Sequence, residues 1–245
     1  MSDAMIELRG LRKVCPDGHV ALRGLSLRID AATTVALLGP SGSGKTTTLK
    51  LINRLITPTA GTVLVRGEDT SSVDVIQLRR GMGYVVQEAG LFPHLTALEN
   101  ADVIPRLLGW PAAQRRRRAE ELFALVGLDL AVHGPRYPAE LSGGECQRVG
   151  FARALAADPA IVLMDEPFGA LDPLTRRRLQ QEFLSLKARL HKTVVLVTHD
   201  VEEAFLLADR IAVLSEGELV QCGTPGEIHA APASEFVKSF FGLMP

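Results

Sequence analysis

The 245-residue sequence contains no run of the roughly 18 uninterrupted apolar residues that a membrane-spanning helix needs. Its opening, MSDAMIELRG, lacks the apolar stretch of a signal peptide, and the chain is expected to stay in the cytosol. Cysteine is scarce. Cys15, Cys146 and Cys222 are odd in number, far apart, and form neither a CxxC pair nor a His/Cys cluster of zinc spacing, so they read as reduced thiols. Net charge is nearly absent as well: 27 Lys plus Arg against 28 Asp plus Glu leave −1, which gives no electrostatic footprint for nucleic acid. No tandem period and no low-complexity segment is present, which excludes a solenoid. The one tryptophan, Trp110, has packing as its default role.

What the sequence has in quantity is apolar residues, 47% against 22% charged, enough to bury the core of one large domain or two small lobes. A mean hydropathy of +0.16 leads us to expect that something covers part of the surface. Three short apolar runs, TVALL at 34–38, AIVLM at 160–164 and TVVLV at 193–197, are rich in β-branched residues and give way at once to polar ones. That is the pattern of parallel strands buried on both faces. MIELRGL, LSLRI and GTVLVRG alternate apolar with polar residues and predict a half-exposed antiparallel sheet. From about residue 88 to 157 the periodicity turns helical, as in RRRRAEELFALVGL, broken by Pro93, Pro105, Pro111, Pro135 and Pro138. RRRR at 115–118 and RRR at 176–178 read as solvated helix faces, since acidic residues follow each.

GPSGSGKT at 39–46 matches GxxxxGKT in the context that motif requires, directly after the TVALL strand and before a helix starting at Lys45. Glycines at 39, 42 and 44 let the backbone fold tightly enough for successive N–H groups to face phosphate oxygens, and a helix start adds partial positive charge. Lys45 supplies a point charge for β- and γ-phosphates, and the Thr46 hydroxyl is a hard ligand suited to Mg²⁺. A Gly/Ser-rich turn with an incidental lysine is the bland alternative.

In AIVLMDEP, Asp165 and Glu166 fall at the carboxyl end of a buried strand, where open α/β sheets place their ligand crevice. Side chains alternate along a strand, so the pair divides its labour: Asp165 toward Mg²⁺ through water, Glu166 toward an attacking water as base or orienter. Read alone, the pair serves equally as an ordinary acidic strand end. His199 closes a third strand in TVVLVTHD, a place from which it would reach a γ-phosphate; a lone histidine is otherwise more often a satisfied core or surface group. In LSGGE, Ser142 and Glu145 form the S-x-x-E capping box, while Gly143 and Gly144 leave the first-turn amides open at a cost of about 1 kcal/mol each in helix propensity. A second anion-binding helix start is implied, although the box serves equally to begin a helix.

Together these residues resemble the ATPase subunits of ATP-binding cassette transporters over nearly the whole chain. Walker A corresponds to Gly39, Pro40, Ser41, Gly42, Ser43, Gly44, Lys45 and Thr46, followed by Thr47. Walker B corresponds to residues 161–165, with Glu166 as the catalytic glutamate; LSGGECQRV matches the signature, Gln87 in GYVVQ the Q-loop glutamine, Asp172 in GALD the D-loop, and His199 the switch histidine. The resemblance implies an α/β fold: a P-loop NTPase (RecA-like) core with an antiparallel β flank over 1–87 and 158–245, and a helical subdomain over 88–157, within a single domain of 1–245. It also implies ATP and Mg²⁺, with Glu166, His199 and Lys45 catalytic. Thr46, Gln87 and Asp165 would serve the metal, and Ser142, Gly143, Gly144, Glu145 and Asp172 would bind nucleotide across a homodimer. Integral membrane permease subunits, an extracytoplasmic solute-binding protein and a peripheral place on the cytoplasmic face of the membrane follow from the same likeness, as does docking through residues 89–98.

Finer stretches, among them GLFPHLT, LLGWP, RYPAELSGG and DEPFGALDPLTR, look like the importers of glycine betaine, choline or carnitine. An importer of amino acids or an exporter is the rival. Two departures stand out. LRKVCPDGHV at 11–20 has no aromatic ring to stack on adenine, Cys15 taking its place, so weaker ATP binding is expected; and Cys146 follows Glu145 where these importers usually have glutamine. The segment at 234–243 reads either as a docked terminal helix or as plain packing, and paired regulatory domains are not expected after it.

Overall fold

The computed structural model describes residues 4–87, 89–169 and 171–242. The chain begins with strands β1 (Ala4–Val14), β2 (Val20–Asp30) and β3 (Thr34–Leu38), then helix α1 (Lys45–Ile52), β4 (Ala60–Val65), β5 (Glu68–Asp69) and α2 (Val75–Arg80). It continues through β6 (Met82–Val85), α3 (Ala97–Leu107), α4 (Ala112–Leu125), α5 (Leu130–His133), a 3-10 turn at Pro138–Glu140 and α6 (Gly143–Leu155). The remainder is β7 (Ile161–Asp165), α7 (Pro173–Leu190), β8 (Thr193–Thr198), α8 (Val201–Leu207), β9 (Arg210–Ser215), β10 (Glu218–Gly223), α9 (Pro225–Ala230) and α10 (Glu235–Phe240). α10 lies within the apolar segment at 234–243, of which Leu243 is outside the described residues. Among the described residues no helix is long and apolar enough to cross a membrane.

Two compact units result, Met1–Arg79 with His191–Pro245, and Arg80–Leu190. The second reaches beyond the helical stretch at 88–157, because β6, β7 and α7 group with the helices. In the first unit, β1, β2, β4 and β5 form an antiparallel sheet in the order β2-β1-β4-β5. β3 pairs in parallel with β8 on one side and β9 on the other, and β10 returns antiparallel along β9. Every residue of β3 and β8 is buried, which is why their runs are apolar throughout, whereas β1 and β2 mix buried and exposed positions as a sheet with one wet face does. Arg23 N donates to Gly217 O at 2.9 Å, tying the antiparallel sheet to the β9–β10 hairpin.

In the second unit β6 and β7 are parallel neighbours, with Val85 opposite Met164. α6 packs on β6, α3 and α4, and its Phe151 meets Phe168 and α7 Phe183 in a ring cluster with centroids 5.9 to 6.4 Å apart. Arg148 of α6 crosses to α7, its Nη2 pairing with Glu182 Oε1 at 2.9 Å while Nη1 donates to Val126 O at 3.0 Å. Pro105 differs from expectation: it lies inside α3, buried in the last turns, instead of interrupting the helix. So near the end only one interior amide bond is lost, and the apolar ring is buried in exchange.

Candidate functional site

The first unit builds a loop at the carboxyl end of β3. Leu38 is the register partner of Thr198, so Gly39 and His199 leave adjacent strands at the same sheet edge. A Cβ on Gly39 would run into the carbonyl oxygen of Leu214, so only glycine passes there. Gly44, the N-cap of α1, has φ 97°; a Cβ on it would lie 2.6 Å from Leu22 Cδ2 and 2.7 Å from Ala21 O. Lys45 is 6% exposed, and its ammonium donates to Gly39 O (2.7 Å) and Pro40 O (2.8 Å), so the lysine folds the loop around itself. No side chain caps the start of α1. Ser43 Oγ, in a residue 2% exposed, has no hydrogen-bond partner among the described residues. An uncapped helix start, an orphan buried hydroxyl and a buried ammonium fit a polyanion whose oxygens only accept hydrogen bonds. Thr46 and Thr47 follow in the first turn, half-buried, and His199 is exposed at the end of β8.

The second unit gathers the carboxylates. The register of β6 and β7 brings Gln87 and the Asp165–Glu166 pair out of adjacent strand ends. Gln87 Nε2 donates to Glu166 Oε2 at 3.4 Å. β7 ends at Asp165, and Glu166 lies beyond it with φ 44°, a left-handed conformation disfavoured for a non-glycine residue. The two carboxylates are therefore separated by a strained turn, not by the strand alternation that the sequence predicts. Asp165 accepts a hydrogen bond from the Tyr84 hydroxyl, whose pKa is pushed up to about 12, first by burial and then by the Asp165 charge. Among the described residues no three His, Cys, Asp or Glu side chains gather as a metal set. Within this unit the amide oxygen of Gln87 and the carboxylate of Asp165 are hard oxygen ligands of the kind that suits Mg²⁺, which keeps much of its water.

A second cluster in this unit is the start of α6. Ser142 Oγ accepts from Glu145 N at 3.3 Å, and Glu145 Oε2 accepts from Ser142 N at 2.7 Å and from the Ser142 hydroxyl at 2.8 Å, closing the capping box. These bonds hold the Glu145 carboxyl below its ordinary range. Space around Gly143 is open, while a Cβ on Gly144 would meet Thr175 Cγ2 at 2.7 Å. Asp172 heads α7, accepting from the amides of Leu174 and Thr175 at 3.1 Å each, and its bonds to Thr175 lower its pKa. Cys146 is half-buried with Sγ 3.5 Å from Pro138 O, and burial pushes its thiol up. Cys15 falls in the β1–β2 turn, its amide donating to His19 O at 2.8 Å.

Sequence reasoning passed over three residues. Tyr84 braces Asp165; its signal was a lone phenol in an otherwise apolar strand. His133 pairs with Glu145, Nε2 to Oε1 at 3.2 Å, and Arg153 grips the turn after Gln87; neither carries a local signal, since its partner lies far along the chain.

The family model described as ABC transporter matches residues 22–169, more than half of the chain. This chain belongs to that family. It is 51% identical over 97% of its length to the choline transport ATP-binding protein of Bacillus subtilis (strain 168), covering 62% of that protein. It is 53% identical over 91% of its length to the osmoprotectant import ATP-binding protein of Salmonella typhimurium, covering 58% of it. It is also 49% identical over 97% of its length to a glycine betaine uptake system ATP-binding protein of Escherichia coli (strain K12), covering 77% of it. The chain thus spans about six tenths of the length of the first two relatives. A solved ATP-binding cassette, a dimeric post-hydrolysis state bound to ADP and Pi, superposes with a TM-score of 0.80 at 36% identity, over 90% of this chain and 99% of that one. The mixed α/β architecture described above is that of an ABC cassette.

Proposed function

We propose that the chain is the ATP-hydrolysing, energy-coupling subunit of an importer for a quaternary-amine osmoprotectant of the glycine betaine, choline or carnitine class. It works as a homodimer under integral membrane permease subunits, on the cytoplasmic face of the membrane, with a solute-binding protein delivering cargo from the other side. The observation that carries the reading is the loop after β3, where a buried lysine and an uncapped helix start meet. The relatives named for choline, osmoprotectant and glycine betaine transport supply the cargo class.

In this reading Lys45, the amides of residues 41–47 and Ser43 Oγ take the β- and γ-phosphates of ATP. Thr46, Gln87 and Asp165 would hold Mg²⁺, which supplies neutralising charge to those phosphates. Glu166 orients the attacking water and takes its proton as the bond between the γ-phosphorus and the bridging oxygen breaks. His199 hydrogen-bonds the γ-phosphoryl group, and Asp172 lies at the junction between copies. The helical stretch 88–157 presents Ser142, Gly143, Gly144 and Glu145 to the nucleotide of the second copy. ATP joins the copies; hydrolysis loosens the γ-phosphate contacts and releases them.

The test is uptake of labelled glycine betaine, choline and carnitine by the complex reconstituted in liposomes with ATP. Wild type is expected to accumulate at least one of them. Glu166→Gln should keep ATP binding while hydrolysis and uptake fall by about 10² or more, the share that a general base contributes. Uptake of none of the three, or undiminished turnover in Glu166→Gln, would overturn the reading.

A further inference from the structure

The turn that follows Gln87 is gripped by one side chain from α6. Arg153 donates from Nη1 to Gly90 O at 2.7 Å and from Nη2 to Ala89 O at 2.8 Å. Its guanidinium carbon sits 5.8 Å from the centroid of the Phe92 ring. Both accepting residues are left-handed, Ala89 with φ 56° and Gly90 with φ 51°, and Ala89, which carries a Cβ, adopts that conformation against its preference. Ala89 is buried directly on α6: a Cβ on Gly150 would stand 3.4 Å from Ala89 O. From Phe92 onward α3 takes over the loop. Asn100, fully buried, accepts from Phe92 N at 2.8 Å and donates to Phe92 O, Leu95 O and Thr96 O at 3.0 to 3.1 Å. The loop is thus templated at both ends by side chains from two helices, with the Phe92 ring 42% exposed between them. The helix that carries Arg153 near its end begins at the Ser142 box, about 16 Å away along its axis.

We propose that Arg153 is a positioning residue that makes the loop after Gln87 and the helix led by Ser142 one mechanical piece, so that a membrane partner pressing on Phe92 shifts Ser142. The inference rests on the reading of the chain as a transporter ATPase whose loop 89–98 docks on membrane subunits. Arginine suits the task because its planar fork engages two successive carbonyls at once, which lysine's single ammonium does not do with the same geometry.

The experiment uses the complete complex in liposomes and the isolated chain, with Arg153→Met and Arg153→Lys. Expected are unchanged co-purification with the membrane subunits and unchanged kcat and KM for ATP in the isolated chain. The stimulation of ATPase by solute-loaded binding protein should fall about tenfold in Arg153→Met, the scale of a lost coupling contact, and by less in Arg153→Lys. Stimulation equal to wild type overturns the proposal, and so does a basal rate that falls in step with the stimulated one, which marks a merely structural arginine. Should Arg153→Met fail to fold, Arg153→Lys decides on the same two readouts. Failure of the underlying reading looks different: wild type that no membrane subunit stimulates, or a Phe92→Asp variant that still co-purifies and is stimulated fully, refutes docking at this loop and removes the premise.

Discussion

Replacing Ser142 by alanine takes away a helix cap and, on the function proposed, a contact to the nucleotide of the second copy. The two losses differ enough in size to be told apart. The cap bond from Glu145 N is 3.3 Å, at the long end for such a bond, and Glu145 keeps its 2.7 Å bond from Ser142 N after the substitution. The cap is therefore worth about 0.5–1 kcal/mol, the low end of its range. For a chain of this size that lowers Tm by about 1–4 °C. A hydrogen bond to a charged phosphoryl oxygen is worth about 1.5–3 kcal/mol, which translates into roughly 10- to 150-fold in kcat/KM. The Ser142 hydroxyl already donates to Glu145 at 2.8 Å, so its proton must turn to reach a phosphate, and the lower half of that range is expected. Helix α9 provides a matched control. Thr224 Oγ1 accepts from Glu227 N at 3.2 Å and Glu227 Oε2 accepts from Thr224 N at 2.7 Å, nearly the same box in the other unit. Thermal unfolding followed by circular dichroism should show similar Tm losses for Ser142→Ala and Thr224→Ala, while steady-state ATPase falls only in the former. Equal activity in the two variants refutes the assignment of Ser142 to the nucleotide.

Two further outcomes are expected. Because the Tyr84 phenol is raised from 10.0 to about 12, its neutral form belongs to the folded state; that contribution to stability is whole below pH 10 and is lost as pH rises through about 12. Denaturation midpoints of Tyr84→Phe should fall less steeply than those of wild type across pH 10–12, and parallel curves would contradict the buried bond to Asp165. A ring at position 15 should restore stacking on adenine worth about 1–3 kcal/mol, so Cys15→Tyr is expected to tighten ATP binding by roughly 5- to 150-fold in calorimetric titration; no gain removes the idea that the β1–β2 turn faces the base.

Which features were legible from the sequence follows from how far apart the interacting groups lie along the chain. TVALL and TVVLV announced themselves because a strand buried on both faces needs no polar residue at all, and β3 and β8 are buried throughout. The box at Ser142 was equally plain, since both of its hydrogen bonds close within three residues. The Arg153 grip on Ala89 spans 64 positions, and nothing at either end marks the other. Arg148 and Glu182 likewise read as two ordinary charges until α6 and α7 are packed. Glu166 fails for another reason: its left-handed turn has no glycine or asparagine to signal it, so the strand seemed to continue one residue too far. A proline rule misplaced the break at Pro105, because the rule weighs a lost amide bond and ignores the burial of the ring that offsets it.

The two helix starts proposed to meet ATP are not equivalent, and the difference sets an order of events. α1 has no side-chain cap from its N-cap residue and no acidic residue in its first turn, so the positive end of its dipole is not answered by a carboxylate of that turn. α6 carries its own carboxylate: Glu145 sits in the first turn, held in its charged form by Ser142 and paired with His133. An incoming phosphate is therefore drawn more strongly by α1 than by α6, where Glu145 already answers the dipole from the first turn and the amides of Gly143 and Gly144 lie outside the box. Nucleotide should load on the loop after β3 first. On the function proposed, the second copy's Ser142 should join only once Lys45 and the loop amides have neutralised much of the triphosphate's charge, so that closure of the pair follows binding and does not precede it.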